Sequence, residues 1–187
     1  MTDTAAPSTP TLGTALRRLY FTRFAFAIVW ALVLFATSSL TGPVLTVLLV
    51  LYPLVDAAAV AWQLRAEGSS ASPRIAEWIN VVTSVAAAIA LGIASASSIG
   101  AVLAVWGIWA VVSGAMQLVT ALLRRRAGGQ VPLVISGAIS VLAGFSFALQ
   151  GLRGATSATS VGGYAILGGI FFLISAIRLS ILLRRKA

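Results

Sequence analysis

One acidic residue, Asp56, lies within a long apolar run and is the residue most able to do chemistry. If that run crosses a bilayer as a helix, Asp56 lies about nine residues from its nearer end, hence ~13 Å deep. A buried charge at that depth costs on the order of 3 kcal/mol, and a short side chain cannot reach water. We therefore expect Asp56 to face the interior of the protein, with Arg23 or Arg178 as its partner.

Several roles for this candidate intramembrane site remain open from the sequence. Asp56 could form a structural ion pair or a hydrogen-bonded contact between helices, or it could take part in a proton relay or an ion site. It could also be protonated and face lipid. Gln117 is a further polar candidate that could bond between helices. Pro53 lies inside the same run and predicts a kink near Asp56.

The residue types present argue against most enzyme chemistry. The chain has no cysteine or histidine and only 4 Asp+Glu among 187 residues. A disulfide framework, a thiol nucleophile and a Cys/His zinc site are excluded, and the acidic residues form no paired-carboxylate or metal-ligand pattern. We therefore predict a non-enzymatic protein with no cofactor.

The elements that must position these residues are transmembrane helices. Hydrophobic residues make up 59% of the chain and charged residues 9%, whereas soluble proteins contain about 25% charged residues. Apolar runs of roughly 20 residues span a bilayer as helices. The predicted fold is all-α, with a disordered cytoplasmic tail at 1–18, a membrane domain at 19–183 and a basic cytoplasmic tail at 184–187. Its six spans are predicted at 19–40, 43–64, 76–95, 99–123, 131–150 and 161–183.

Basic residues flank these runs on one side, which predicts that both termini are cytoplasmic. Arg153 alone falls between runs on the opposite side. Because the cationic groups mark the ends of apolar runs, we expect them to anchor the topology of a multi-pass plasma or inner membrane protein and to touch anionic lipid head groups, rather than to bind nucleic acid. The first run also resembles a cleaved export signal, and loop charge does not distinguish the two. The anchors are Arg17, Arg18, Arg65, Arg74, Arg124, Arg125, Arg126, Arg184, Arg185 and Lys186.

The remaining polar and aromatic residues have structural interpretations. Glu77 and Asn80 are expected to cap the third helix or to lie at the membrane interface. The aromatic residues fit interfacial belts or packing better than a cofactor cage. The larger ones are Trp30, Trp62, Trp78, Trp106, Trp109, Tyr20, Tyr52 and Tyr164.

The fourth and sixth runs resemble each other when shifted by 61 positions. Gly107 then meets Gly168, Leu122 meets Leu183, and Gln117 meets Arg178. The odd-numbered runs share small residues at every fourth position, a spacing that allows close approach of helices in lipid. We predict three helical hairpins, 1–2, 3–4 and 5–6, related by an axis along the membrane normal.

With "WGIWAVVSGAMQLVTALLRRR", "GGQVPLVISGAISVLAGFSFAL" and "GGYAILGGIFFLISAIRL", the chain resembles the HdeD-like family of small membrane proteins. The resemblance covers about residues 15–185, and Arg23 and the arginine after the fourth run also fit the family pattern. It implies a role in acid or envelope stress tolerance, through packing with other copies or with partner proteins. It implies no reaction and no catalytic residue, and Asp56 is not a feature that the family leads us to expect.

Overall fold

The computed structural model describes residues 12–37, 42–67, 74–123 and 131–185, and the regular structure within these ranges is entirely α-helical. All six helices are long and apolar enough to cross a membrane. The chain is therefore a six-helix, multi-pass membrane protein. The helices are α1 (Leu12–Ala36), α2 (Pro43–Ala66), α3 (Ile75–Ser95), α4 (Ile99–Leu123), α5 (Val131–Leu152) and α6 (Thr159–Arg184).

The predicted boundaries hold within a few residues except at the start of α1. This helix begins at Leu12 rather than near residue 19, so the predicted disordered tail is wrong for residues 12–18. Arginine is a good helix former, and its long side chain can extend to the membrane surface, so Arg17 and Arg18 continue the helix. Residues 1–11 lie outside the described part of the chain.

The described anchors lie at one end of the bundle, which we call the basic end. It contains the start of α1 and the end of α6, where Gly13 approaches Leu183, and the α2–α3 connection, where Arg74 donates a hydrogen bond to the Leu64 carbonyl. Arg184 belongs to α6 and Arg185 follows it directly, so the predicted basic tail begins later than expected. Arg124, Arg125, Arg126 and Lys186 lie outside the described residues. Which membrane face the basic end meets stays a prediction.

The helices pack most extensively across the predicted hairpins rather than within them. The broad contacts are those of α4 with α5, α1 with α6, and α2 with α3, while α3 also packs against α4. By contrast, the backbones of α1 and α2, and those of α5 and α6, approach each other closely at few positions. Each even-numbered helix thus packs against the odd-numbered helix of another predicted hairpin, including α6 against α1. The internal repeat itself stays a prediction.

Facing glycines bring α4 and α5 into backbone contact. A methyl group added at Gly107 would lie 2.5 Å from the Gly144 carbonyl oxygen and 2.8 Å from the Ala148 nitrogen. Only residues without a side chain allow that separation, and such close approach gives the van der Waals contact that joins helices in lipid. The glycines are spaced by seven residues on each helix and pair as Gly100 with Gly151, Gly107 with Gly144, and Gly114 with Gly137.

Small residues also form the contact between α6 and α1. A methyl group at Gly169 would lie 3.1 Å from the Ala27 side chain. Gly168, which the shift of 61 positions aligns with Gly107, lies instead near the Tyr52 hydroxyl. The residue that occupies the close helix contact in α6 is therefore one position later than the sequence comparison indicates.

The large buried side chains are concentrated away from the basic end. We call the part of the bundle between Asp56 and the basic end the basic half, and the remainder the far half. Every residue of the main apolar core belongs to the far half. Its larger members are Trp30, Leu34, Leu45, Leu48, Leu49, Leu91, Val102, Leu103, Trp106, Trp109, Phe147 and Val161.

Candidate functional site at Asp56

Asp56 is bound by donors from two other helices. Its Oδ1 forms an ion pair with Arg23 of α1. Its Oδ2 accepts hydrogen bonds from Asn80 Nδ2 and Ser84 Oγ of α3, each at 3.0 Å. The Asp56 side chain is only 15% exposed. The prediction that Asp56 lies inside the bundle with an arginine partner is confirmed, and that partner is Arg23.

The network continues from Asp56 into α4. Trp109 Nε1 donates a hydrogen bond of 3.0 Å to Ser84 Oγ, which in turn donates to Asp56. Ser84 is fully buried, so both of its bonds replace interactions with water that it has lost. One carboxylate thereby links α1, α2, α3 and α4.

The role of Asn80 differs from the one expected from the sequence. The sequence predicts capping or a place at the membrane interface, whereas the Asn80 amide donates a hydrogen bond to the Asp56 carboxylate. Asn80 and Ser84 are separated by four residues on α3 and therefore share one helix face. That spacing was the available signal for a polar contact with a neighbouring helix.

Arg23 contacts α6 as well as α2. Its guanidinium carbon lies 4.0 Å from the centre of the Phe172 ring, a cation–π contact. Arg178 is an exposed residue of α6, and Gln117 is half-buried on α4, two turns beyond Trp109. The structure therefore identifies Arg23, rather than Arg178 or Gln117, as the residue whose ion pair with Asp56 is formed.

An aromatic cluster lies next to the Asp56 network on its far side. The Tyr52 ring lies 4.7 Å from the Trp30 ring and 5.5 Å from the Trp106 ring, and Trp106 lies 5.2 Å from Trp109. Trp30 Nε1 also donates a hydrogen bond of 2.8 Å to the Leu48 carbonyl. These four residues fill the bundle interior, which confirms the packing interpretation for them.

The tryptophans outside this cluster have different surroundings. Trp62 and Trp78 are exposed, at 42% and 52%, on the parts of α2 and α3 nearest the basic end. Those positions suit an interfacial belt. Sequence reasoning did not separate these two from the three buried tryptophans, because each residue lies in an apolar run.

A small cavity adjoins the ion pair. Its volume is about 20 Å³, enough for one water molecule. The described residues contain no group of three acidic, histidine or cysteine side chains placed to hold a metal ion. The lining residues are Arg23, Phe26, Tyr52, Val55, Asp56 and Phe172.

The Asp56 network is arranged to hold a charge in place. Both carboxylate oxygens are engaged, and the cationic partner also lies against an aromatic ring. No family model, curated protein or solved structure matches this chain. The role of the protein is therefore inferred from the geometry of this site and from the resemblance described above.

Proposed function

We propose that the protein is a non-enzymatic, HdeD-type component of the plasma or inner membrane that supports tolerance of acid or envelope stress. The observation that carries the structural, non-enzymatic part of this proposal is the network that fixes Asp56 to Arg23, Asn80 and Ser84. The HdeD type and the stress role rest on the resemblance of the sequence. A carboxylate with three donors is suited to joining helices within the bilayer. The protein then acts by packing, with other copies of itself or with partner proteins.

The placement of basic residues supports the proposed orientation. The described anchors Arg17, Arg65, Arg74 and Arg184 lie at the basic end, and Arg153 follows α5 at the opposite end. Positive residues favour the cytoplasmic side and attract anionic lipid head groups. The basic end accordingly faces the cytoplasm, with both termini on that side.

Survival of acid shock tests this function. Cells lacking the gene are complemented with wild type, with Asp56→Leu, or with the double variant Arg23→Met/Asp56→Leu. We expect the single variant to fail, because it leaves Arg23 buried without its counter-ion, and the double variant to restore much of the survival. Immunoblots of the membrane fraction control for the amount of protein. Equal survival of deleted and complemented cells would contradict the proposal.

A second candidate function is a proton or ion pathway that uses Asp56. The water-sized cavity beside the carboxylate favours it, as does the proline three residues earlier in α2. Titratable groups next to water in a membrane are the usual parts of such pathways. Under this alternative, Asp56 exchanges its partners during transport.

Flux through purified protein in liposomes distinguishes the two candidates. A pH-sensitive dye or ion electrode follows wild type, Asp56→Asn and the control Ser140→Ala, whose hydroxyl bonds Tyr164 outside the Asp56 network. The structural proposal predicts no flux above that of empty liposomes for any of them. Flux that Asp56→Asn abolishes and Ser140→Ala retains would replace the first proposal with the second.

A further inference from the structure

The size of the buried side chains changes abruptly at Asp56. In the far half, Trp106, Leu103 and Leu49 are fully buried. Among the described residues of the basic half, the buried ones are glycine, alanine and serine, with Leu64 as the exception. Apart from Leu64, no large apolar side chain in the described part of this half is buried, so the apolar core of the far half does not continue past Asp56.

The inner face of α4 is polar in the basic half. Ser113 and Gln117 each lie seven residues, or two turns, after the buried residues Trp106 and Ala110, and therefore on the same side of the helix. Thr120 follows Ser113 at the same spacing, and all three are half-buried. The opposite face is apolar and exposed to lipid: Ile108, Val119 and Leu122.

The hydroxyl of Ser113 gives independent evidence for water. Its oxygen is buried and has no hydrogen-bond partner among the described residues. A buried hydroxyl without a partner is costly, and ordered water commonly supplies the missing bond. On α6, Ser175 is also half-buried and follows Phe172, the residue beneath Arg23, by three positions. Half-buried hydroxyl groups thus lie on both α4 and α6 on the basic side of Asp56.

We propose that the axis of the basic half is a water-filled vestibule that opens at the basic end and ends at Arg23 and Asp56. Ser113, Gln117 and Thr120 line it on α4. The aromatic cluster of Trp30, Tyr52 and Trp106 closes it from the far half. Water at this position also accounts for an ion pair at membrane depth whose side chains remain 14% and 15% exposed.

The vestibule is independent of the stress-tolerance proposal, since a structural protein and an ion pathway could each contain it. Because the vestibule opens at the basic end, the Arg23–Asp56 pair contacts solvent from that side of the membrane. Passage to the other side requires movement of the aromatic cluster. The site therefore takes water and small hydrophilic solutes from the basic end.

Cysteine labelling tests the vestibule directly, because the chain contains no cysteine. Ser113→Cys, Gln117→Cys and Thr120→Cys are made singly in the full-length protein and treated with a membrane-impermeant maleimide in sealed vesicles of either orientation. Thiols react as thiolates, which require water. The controls are Val119→Cys on the lipid-facing side of α4 and Val102→Cys in the far-half core.

We expect the three vestibule positions to react at least about ten times faster than Val119→Cys and Val102→Cys, and only in the vesicle orientation that exposes the basic end. Gel filtration first shows that each variant has the wild-type elution volume. Reaction of Ser113→Cys and Gln117→Cys at the rate of Val119→Cys would overturn the proposal. Equal labelling of Val102→Cys, or labelling from the far end alone, would also overturn it, because the aromatic cluster would then not close the vestibule.

Discussion

The two halves of the bundle are held together by different interactions. The far half is filled by large apolar side chains, and its aromatic rings pack against one another. In the basic half the buried residues are almost all small, and polar groups surround Asp56 where the two halves meet. Lipid tails are as apolar as leucine, so apolar burial alone gives helices little reason to associate. Close packing stabilises the far half, whereas hydrogen bonds and an ion pair stabilise the boundary between the halves.

The largest effect is expected when a leucine of the far half is truncated, compared with the same truncation in the basic half. Leu103→Ala, in the fully buried part of α4, should lower the free energy of unfolding by about 3 kcal/mol because it leaves a cavity. Leu179→Ala, at a half-buried position of α6 in the basic half, should cost much less. Unfolding by SDS, followed through tryptophan fluorescence in mixed micelles, measures both. Equal losses would remove the distinction between the halves.

The glycine contact of α4 and α5 gives a second matched pair. Gly107→Ala places a methyl group against the α5 backbone and should cost about 1–3 kcal/mol. Gly163→Ala on α6 meets no atom within 4 Å. It should be neutral or stabilise the helix by up to about 1 kcal/mol. The same SDS titration detects the opposite signs, and a harmless Gly107→Ala would argue against backbone contact between the two helices.

The boundary between the halves depends on Ser84. Ser84→Ala removes a donor from Asp56 and the acceptor of the Trp109 indole, so we expect a loss of about 1–2 kcal/mol. Ser140→Ala removes a single bond to Tyr164 and is the control. Midpoints of SDS unfolding compare the two variants. A smaller effect at Ser84 than at Ser140 would show that the Asp56 network contributes little.

The smallest effect is expected for one hydrogen bond within the far half. Trp30→Phe keeps an aromatic ring but removes the bond to the Leu48 carbonyl. Hydrogen bonds between membrane helices average about 0.6 kcal/mol, and we expect a loss of that size. Thermal unfolding in detergent measures it. A loss of several kcal/mol would mean that this hydrogen bond, rather than ring packing, stabilises the aromatic cluster.

The sequence predicts the bounds of a helix well where turn-forming or charged residues flank both of its ends. For α4, a Ser-rich turn precedes Ile99 and three arginines follow Leu123, and its predicted span agrees with the structure. The sequence places the start of α1 too late, because Arg17 and Arg18 equally fit residues that flank a span. Basic residues next to an apolar run are compatible with either a loop or a helix end, so composition alone does not locate that boundary.

The ion pair follows from the sequence only in part. A short acidic side chain at membrane depth requires a partner, and few basic residues lie within the spans, so Arg23 and Arg178 could both be named. The choice depends on which helices become neighbours around the bundle, which periodicity does not determine. The sequence does not predict Asn80 and Ser84 as members of the site, because Asn80 near the start of α3 equally suits capping and Ser84 belongs to the small residues that suit helix packing.

A double-mutant cycle between Arg23 and Asp56 tests most directly whether this pair is a fixed structural contact. Asp56→Leu and Arg23→Met are made singly and together. The free energy of unfolding of each variant is measured in SDS and detergent. Arg178→Met replaces Arg23→Met in the control cycle. We predict that each single variant of the pair costs about 3 kcal/mol and that the double variant costs less than either, because no charge is then left unpaired. The Arg178 cycle should be additive. Additive losses at Arg23 and Asp56, or coupling of Asp56 to Arg178 instead, would contradict the account.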